Sequence, residues 1–516
     1  MSRPSFARYR SLEEPVPPDG REEGFDPREA RRRWLRPGDP DPEGAYVLYW
    51  MQMYRRVPSN LALDEAARRA ERLDLPLVVY EGLARDYPGA GRRIHRFVLG
   101  CARETARRLE ERGVRYVFHL DRPGHDRPAA AEMLRESAVT VVDDYPAFIL
   151  PGLTRAALER TAASGVPVLA VDDAGVVPLA EIEDRQYAAR TIRPRLHRLL
   201  PAYLHPAETL PLPPSGAGRR PDTPVEGLAP VLREADDSDL DELVRACGVD
   251  PDPPPSPRFP PGRSAGLDRL GAFLEEGLAR YDDRSGEPGV DGTSGLSPYL
   301  HFGCLSAREA ALAVLAAEAP DGAVDAFLEQ LVVRRELAFN FCRYTDRSRH
   351  ASLATLPDWA RETLREHASD PRPRSYSRER LERGETDDEL WNAAQRELVH
   401  TGTIHNYMRM LWGKKLLTWT ECPSDALEIM IDFHDRWALD GRDPNTYANC
   451  LWCFGLHDRA FGEREVFGKV RPMTSGSTRR KKDVDGYLER VRRWEARAAG
   501  DDGDPPPREN GGEDGG

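Results

Sequence analysis

Two tryptophans seven residues apart, Trp412 and Trp419, lie in the segment LWNAAQRELVHTGTIHNYMRMLWGKKLLTW. On one helix they share a face about two turns apart, roughly 10 Å along the axis. Rings at that separation can pass an electron by hopping, or simply anchor a core. Seven of the nine tryptophans (Trp359, Trp391, Trp412, Trp419, Trp437, Trp452 and Trp494) fall in this later part of the chain. Cys450 and Cys453 form a CxxC beside His457 in NCLWCFGLHD, with no second pair and apolar residues between them. Packing cysteines, and no metal, are therefore expected. No HExxH, GxSxG or paired carboxylates at hydrolytic spacing occur, so hydrolase chemistry has no support. All five lysines, Lys414, Lys415, Lys469, Lys481 and Lys482, lie between 414 and 482. The stretch VFGKVRPMTSGSTRRKKDVDGY gathers cations around a Gly/Ser/Thr turn. That is either a rim for phosphates or an ordinary solvated surface.

These residues need a scaffold, and 516 residues allow two to four domains. A mean hydropathy of -0.62 and the lack of any eighteen-residue apolar run exclude a membrane-spanning helix. The start, MSRPSFARYRSLEEP, lacks the layout of a secretory signal. Together with seven scattered cysteines it points to the cytoplasm. The net charge of -13 argues at first against a nucleic-acid partner. Position reverses that argument. Residues 221–252 carry ten acids against Arg233 and Arg245, and 501–516 carry six against Arg508. Removing these two segments leaves a neutral body able to present a basic face.

Residues 1–44, rich in Arg, Pro and Glu, are expected to form an irregular lead-in. Short Val- and Tyr-rich runs come next, at 46–52, 75–83, 115–120, 138–144 and 166–171. They read as buried parallel strands separated by amphipathic helices, one of them capped by Asn60. The pattern predicts a doubly wound, Rossmann-like α/β domain over 45–205. No GxGxxG or P-loop follows any strand, so a tightly held dinucleotide on this domain has no support. An acidic, proline-rich connector spans 206–262, with seven prolines in the eleven residues from 251. It is expected to be stiff and extended. Helical periodicity then predicts an all-α domain over 263–495, followed by a disordered acidic tail over 496–516.

The segment DGTSGLSPYLHFGCLS (291–306) resembles the class II cyclobutane pyrimidine dimer photolyases of the photolyase/cryptochrome superfamily. The resemblance spans about 45–490. It also includes RQYAARTIRPRLHRLLPAYL, LVVRRELAFNFC, the long tryptophan-bearing segment and LDGRDPNTY with REVFGKVRPM. It implies an α/β antenna domain followed by a helical FAD-binding domain. It also implies a monomeric enzyme that uses light-driven electron transfer from reduced FAD to split a dimer flipped out of UV-damaged DNA. By the same resemblance Tyr281, Thr293, Ser294, Gly295, Leu296 and Ser297 contact the flavin phosphates, and Arg409 and Asp440 sit beside the isoalloxazine. The resemblance further implies that Glu336 contacts the bases, that Met410 and Trp452 wall the lesion pocket, that Arg459 and Arg471 meet DNA, and that Trp391, Trp412 and Trp419 form the path that reduces the flavin. A second chromophore, deazaflavin or folate, is possible in the family, and no motif in 45–200 decides its identity.

The chain departs from the pattern in places. His434 stands where the family has Asn facing flavin N5, and an imidazole there is expected to exchange a proton near neutral pH and shift the balance of flavin redox states. TYANCLWCFGLHD is one residue shorter than the family's segment, and PMTSGSTRRKKD replaces a Tyr/Asn-rich turn. These differences leave a second reading, a photolyase-like photoreceptor with altered or lost DNA repair. A third, a plain electron-transfer flavoprotein, leaves the tryptophans and the basic loop without a role.

Overall fold

The computed structural model describes residues 4–12, 14–18, 25–206 and 221–498. Six strands, β1 (Arg32–Arg36), β2 (Tyr46–Trp50), β3 (Leu77–Leu83), β4 (Arg115–Leu120), β5 (Ser137–Asp143) and β6 (Val168–Val171), form one sheet ordered β1-β6-β5-β2-β3-β4. All pairings are parallel except β1 with β6. Every residue of β2 and β5 is buried, because helices cover both faces. Alternation along β2 sends Val47 and Tyr49 into one core with Leu63 and Ala66, and Leu48 and Trp50 into another with Met133 and Leu134. The Leu61–Leu73 helix starts as expected, with the Asn60 side chain accepting from the Leu63 N–H at 3.0 Å. Beyond the expected five strands lies β1. The lead-in is not irregular there: it forms an antiparallel edge, and Phe6 and Tyr9 are buried further upstream.

The connector also differs from expectation. Its acidic block folds into the helices Ala229–Glu234 and Asp237–Cys247, packed on the Arg92–Glu110 helix. A reciprocal capping box joins Asp236 and Asp239, each side chain accepting from the other's backbone N–H at 2.9 Å. Leu240, Val244 and Cys247 turn inward. Asp237 pairs with Arg96 and Arg103, and Asp241 with Arg96. The acid therefore docks on arginines of the same chain. Residues 207–220 and, from 499 on, the expected acidic tail lie outside the described residues.

From Arg263 onward the described residues form helices and loops, with no strand longer than a single bridge. Buried Arg93, on the Arg92–Glu110 helix, donates to the carbonyls of Pro254, Leu398 and Trp437 at 2.9, 3.2 and 2.9 Å. That fastens the α/β half to both the connector and the helical half. No helix among the described residues is long and apolar enough to cross a membrane.

Candidate active site

A cavity of about 1400 Å³ opens in the helical half. Its wall draws on the loop 293–297, the Asn406–Trp419 helix, Met430 and His434 of the Pro423–Trp437 helix, the Pro444–Trp452 helix with the loop after it, and the stretches 185–193 and 354–359. Tyr281, Thr293, Ser294, Gly295, Leu296 and Ser297, expected around flavin phosphates, all line it. The loop is shaped by Arg269, whose Nε donates to the Ser294 carbonyl at 2.7 Å and Nη2 to the Thr293 carbonyl at 3.1 Å. Gly295 has φ +65° and a Cβ there would lie 2.6 Å from the Arg269 Nε, so only glycine fits.

Arg409 and Asp440, expected beside the isoalloxazine, face the cavity as an ion pair in which the single nitrogen Nη2 lies 3.1 Å from each carboxylate oxygen. Burial pushes the Asp440 carboxyl up, but Arg409 and the Ser297 hydroxyl outweigh it and hold the group below the usual carboxylate range. His434 also lines the cavity, its Nδ1 2.7 Å from the Met430 carbonyl. Burial, reinforced by Arg409, pulls this imidazole down to about 4. The expectation of proton exchange near neutral pH is therefore corrected: His434 stays neutral there, with Nδ1–H donating and Nε2 left as an acceptor.

Three tryptophans form a stack whose order the sequence did not reveal. Trp391, from the Glu389–Thr401 helix, sits between the two tryptophans of the Asn406–Trp419 helix. Its ring is parallel to Trp412, with centroids 6.2 Å apart and planes at 3°, and edge-on to Trp419 at 5.2 Å. Tyr376, half-buried, continues the row 5.1 Å beyond Trp419. Trp412 alone of the three lines the cavity, 5.2 Å from the His434 ring. The Trp412 and Trp391 indole N–H groups donate to the Gln395 side-chain oxygen and the Trp412 carbonyl, both at 3.0 Å.

Met410, Trp452, Arg459 and Arg471 line the same cavity. Arg471 shares its charge with Asp458 at 2.9 Å and covers Phe461, which Arg459 flanks from another side. Glu336 is the exception among the expected residues. It does not line the cavity; its Oε1 accepts from the backbone N–H groups of Val176 and Val177 at 2.8 and 3.2 Å. A π-helical turn over Glu329–Arg334 runs directly into the Arg335–Arg343 helix that carries Glu336. Gln330, Arg334 and Arg335 face the cavity instead. Burial pushes the Glu336 carboxyl up to about 7. We expect Glu336→Ala to lower unfolding stability by about 2–4 kcal/mol in denaturant titration, because two buried N–H groups lose their acceptor. Because the folded carboxyl is raised, ionisation costs the wild type stability as pH climbs from 4.5 to about 7. Glu336→Gln should gain on wild type across that window; constant differences would remove this account.

The cationic stretch after Arg471 also differs from the expected phosphate rim. Lys482 pairs with Glu287 and Arg479 with Glu389, and only Arg471 of the stretch reaches the cavity. Lys414 is fully buried, its ammonium 4.9 Å from the Trp452 ring centre. Sequence reasoning missed Arg258, His405, Asn449 and Arg490, which line the cavity from four separate segments. The buried Nδ1 and Nε2 of His405 and the Nε atoms of Arg409 and Arg490 have no hydrogen-bond partner. Partnerless polar atoms around a cavity of this size fit a large polar cofactor such as FAD. No group of three or more potential metal ligands occurs among the described residues.

Two solved structures share this architecture: a class III photolyase from Agrobacterium tumefaciens (TM-score 0.62, 18% identity, 88% of this chain and 87% of that one) and a Synechocystis cryptochrome (TM-score 0.66, 17%, 87% and 88%). The fold is thus that of the photolyase/cryptochrome superfamily. The DNA photolyase family model matches residues 47–214. Two proteins named deoxyribodipyrimidine photo-lyase are similar over nearly their whole length. One, from Methanothermobacter thermautotrophicus, is 37% identical over 90% of this chain and 98% of its own; the other, from Oryza sativa subsp. japonica, is 37% identical over 90% of each. A third, from the marsupial Potorous tridactylus, is 36% identical over 87% and 82%. The chain belongs to the DNA photolyase family, a family of DNA-repair lyases.

Proposed function

We propose that this chain repairs cyclobutane pyrimidine dimers in DNA, working as a cytoplasmic monomer with reduced FAD. The observation that carries the reading is that a single cavity is lined both by the Arg409–Asp440 pair with His434 and by Met410, Trp452, Arg459 and Arg471. Held there by Arg409, Asp440 and the loop 293–297, reduced FAD would supply a light-driven electron for opening the cyclobutane ring. The Arg409 guanidinium, fixed by Asp440, favours an anionic ring system beside it. Neutral His434, its Nδ1–H given to the Met430 carbonyl, would leave Nε2 as a hydrogen-bond acceptor for the cofactor. Met410 and Trp452 exclude water from the lesion, and Gln330 offers the amide that Glu336 does not. The tryptophan row, ending in Tyr376, carries electrons inward to restore the reduced cofactor.

A second cavity of about 570 Å³ lies at the carboxyl ends of the strands, lined by Trp50, Tyr80, Tyr87, His119 and Phe148 among others. That is where doubly wound sheets take ligands, and its aromatic walls suit a flat antenna chromophore such as a deazaflavin or folate. His301 lines both cavities and meets Asp443 at 3.1 Å.

The test is illumination of reduced protein with a dimer-containing oligonucleotide, in which intact thymines should reappear under blue light. None appearing while the flavin is fully reduced would refute repair. Undiminished photoreduction with no preference for dimer-containing over plain DNA would instead assign a photoreceptor.

A further inference from the structure

Of the seventeen tyrosines sixteen are buried or half-buried, and Tyr187 is 74% exposed. It belongs to RQYAARTIRPR and stands on the lip of the large cavity. Its backbone is fixed on both sides. The Gln186 N–H donates to Asn340 Oδ1 at 2.7 Å, and the Tyr187 carbonyl accepts from His457 Nδ1 at 3.0 Å. Burial pulls the His457 imidazole down to about 4, so its neutral ring keeps that donor through neutral pH. Arg185 adds a bond to the Thr355 carbonyl at 2.8 Å and covers the Phe341 ring. The loop is thus anchored to the Arg335–Arg343 helix and to the segment that carries Asp458 and Arg459. A lone exposed aromatic needs no explanation on an ordinary surface. Here its backbone is fixed at the edge of a cavity that Arg185, Arg190, Arg193 and Arg334 also line, Arg193 and Arg334 sharing the carboxylate of Glu329. An aromatic face among guanidinium groups matches a nucleobase with its phosphates.

We propose that Tyr187 is a base-stacking residue, packing its ring on the nucleobase that borders the opened duplex when a dimer enters the cavity. This rests on the repair reading above. On a second segment of the wall stand Arg459 and Arg471, both packed on the Phe461 ring. His457 ties the two segments together.

The test is the affinity of full-length protein for a dimer-containing duplex across a range of salt concentrations. Tyr187→Ala should bind about tenfold more weakly, as loss of one stacked base does, with an unchanged absorption spectrum, while Tyr187→Phe stays near wild type. Its log-log salt slope should match wild type, because stacking releases no counterion; Arg471→Ala should make the slope shallower by about 0.9 for one phosphate contact. Wild-type affinity in Tyr187→Ala, or a slope reduced like that of Arg471→Ala, overturns the stacking role alone. A wild-type protein with no preference for dimer-containing DNA overturns the repair reading and this inference together.

Discussion

Trp391→Phe is expected to abolish photoreduction of the oxidised flavin while chemically reduced protein still repairs dimers. The geometry singles out this residue over Trp412. Trp391 is the middle ring, parallel to Trp412 and edge-on to Trp419, and phenylalanine fills much of its space but is far harder to oxidise. Trp391 does not line the cavity, so cofactor and lesion contacts stay intact. Trp412→Phe would also disturb the wall beside His434 and confuse the two effects. The measurement is the bleaching of oxidised-flavin absorbance under blue light with an external donor, alongside repair after dithionite reduction. Photoreduction at the wild-type rate would take Trp391 out of the path; repair lost after chemical reduction would show damage beyond electron delivery.

Asp440→Ala is expected to empty the protein of flavin and to destabilise it by about 2–4 kcal/mol, less than for a fully buried pair because both partners keep some exposure. Arg409 would be left in the wall without its ion-pair partner, and Ser297 without a hydrogen-bond acceptor. Asp440→Asn, which keeps an oxygen for Arg409 but no charge, should fall between the two. The pH dependence has a definite sign. Because the folded carboxyl lies below the ordinary value of 3.8, its contribution is full above that value and is lost as pH falls through the depressed one. Thermal melting and the flavin-to-protein absorbance ratio of purified variants measure both effects. A variant with wild-type flavin content would separate this pair from the cofactor.

Local patterns in the chain were sufficient for much of the fold. Val- and Tyr-rich runs bounded by amphipathic stretches become strands wherever helices cover both faces, and all five expected strands formed. Asn60 capped its helix because the signal is a side chain reaching a backbone N–H three residues away. The acidic block was misread because composition counted charge without spacing. Asp236 and Asp239 at capping-box distance, with Leu240, Val244 and Cys247 one helical face apart, were present in the chain all along.

The sequence by itself determined the order of the two halves and singled out the loop around Gly295, the Arg409–Asp440 pair and the tryptophans, since each depends on neighbours within a turn or on a long shared motif. Only the tertiary structure decided which tryptophan stands in the middle, that Glu336 ties the halves together while Gln330 meets the cavity, that His434 is held neutral, and that Tyr187 stands alone at the mouth. Distances across helices, the partners a buried carboxylate finds and the loss of solvent around an imidazole come from packing between segments far apart in the chain, and no local pattern records them.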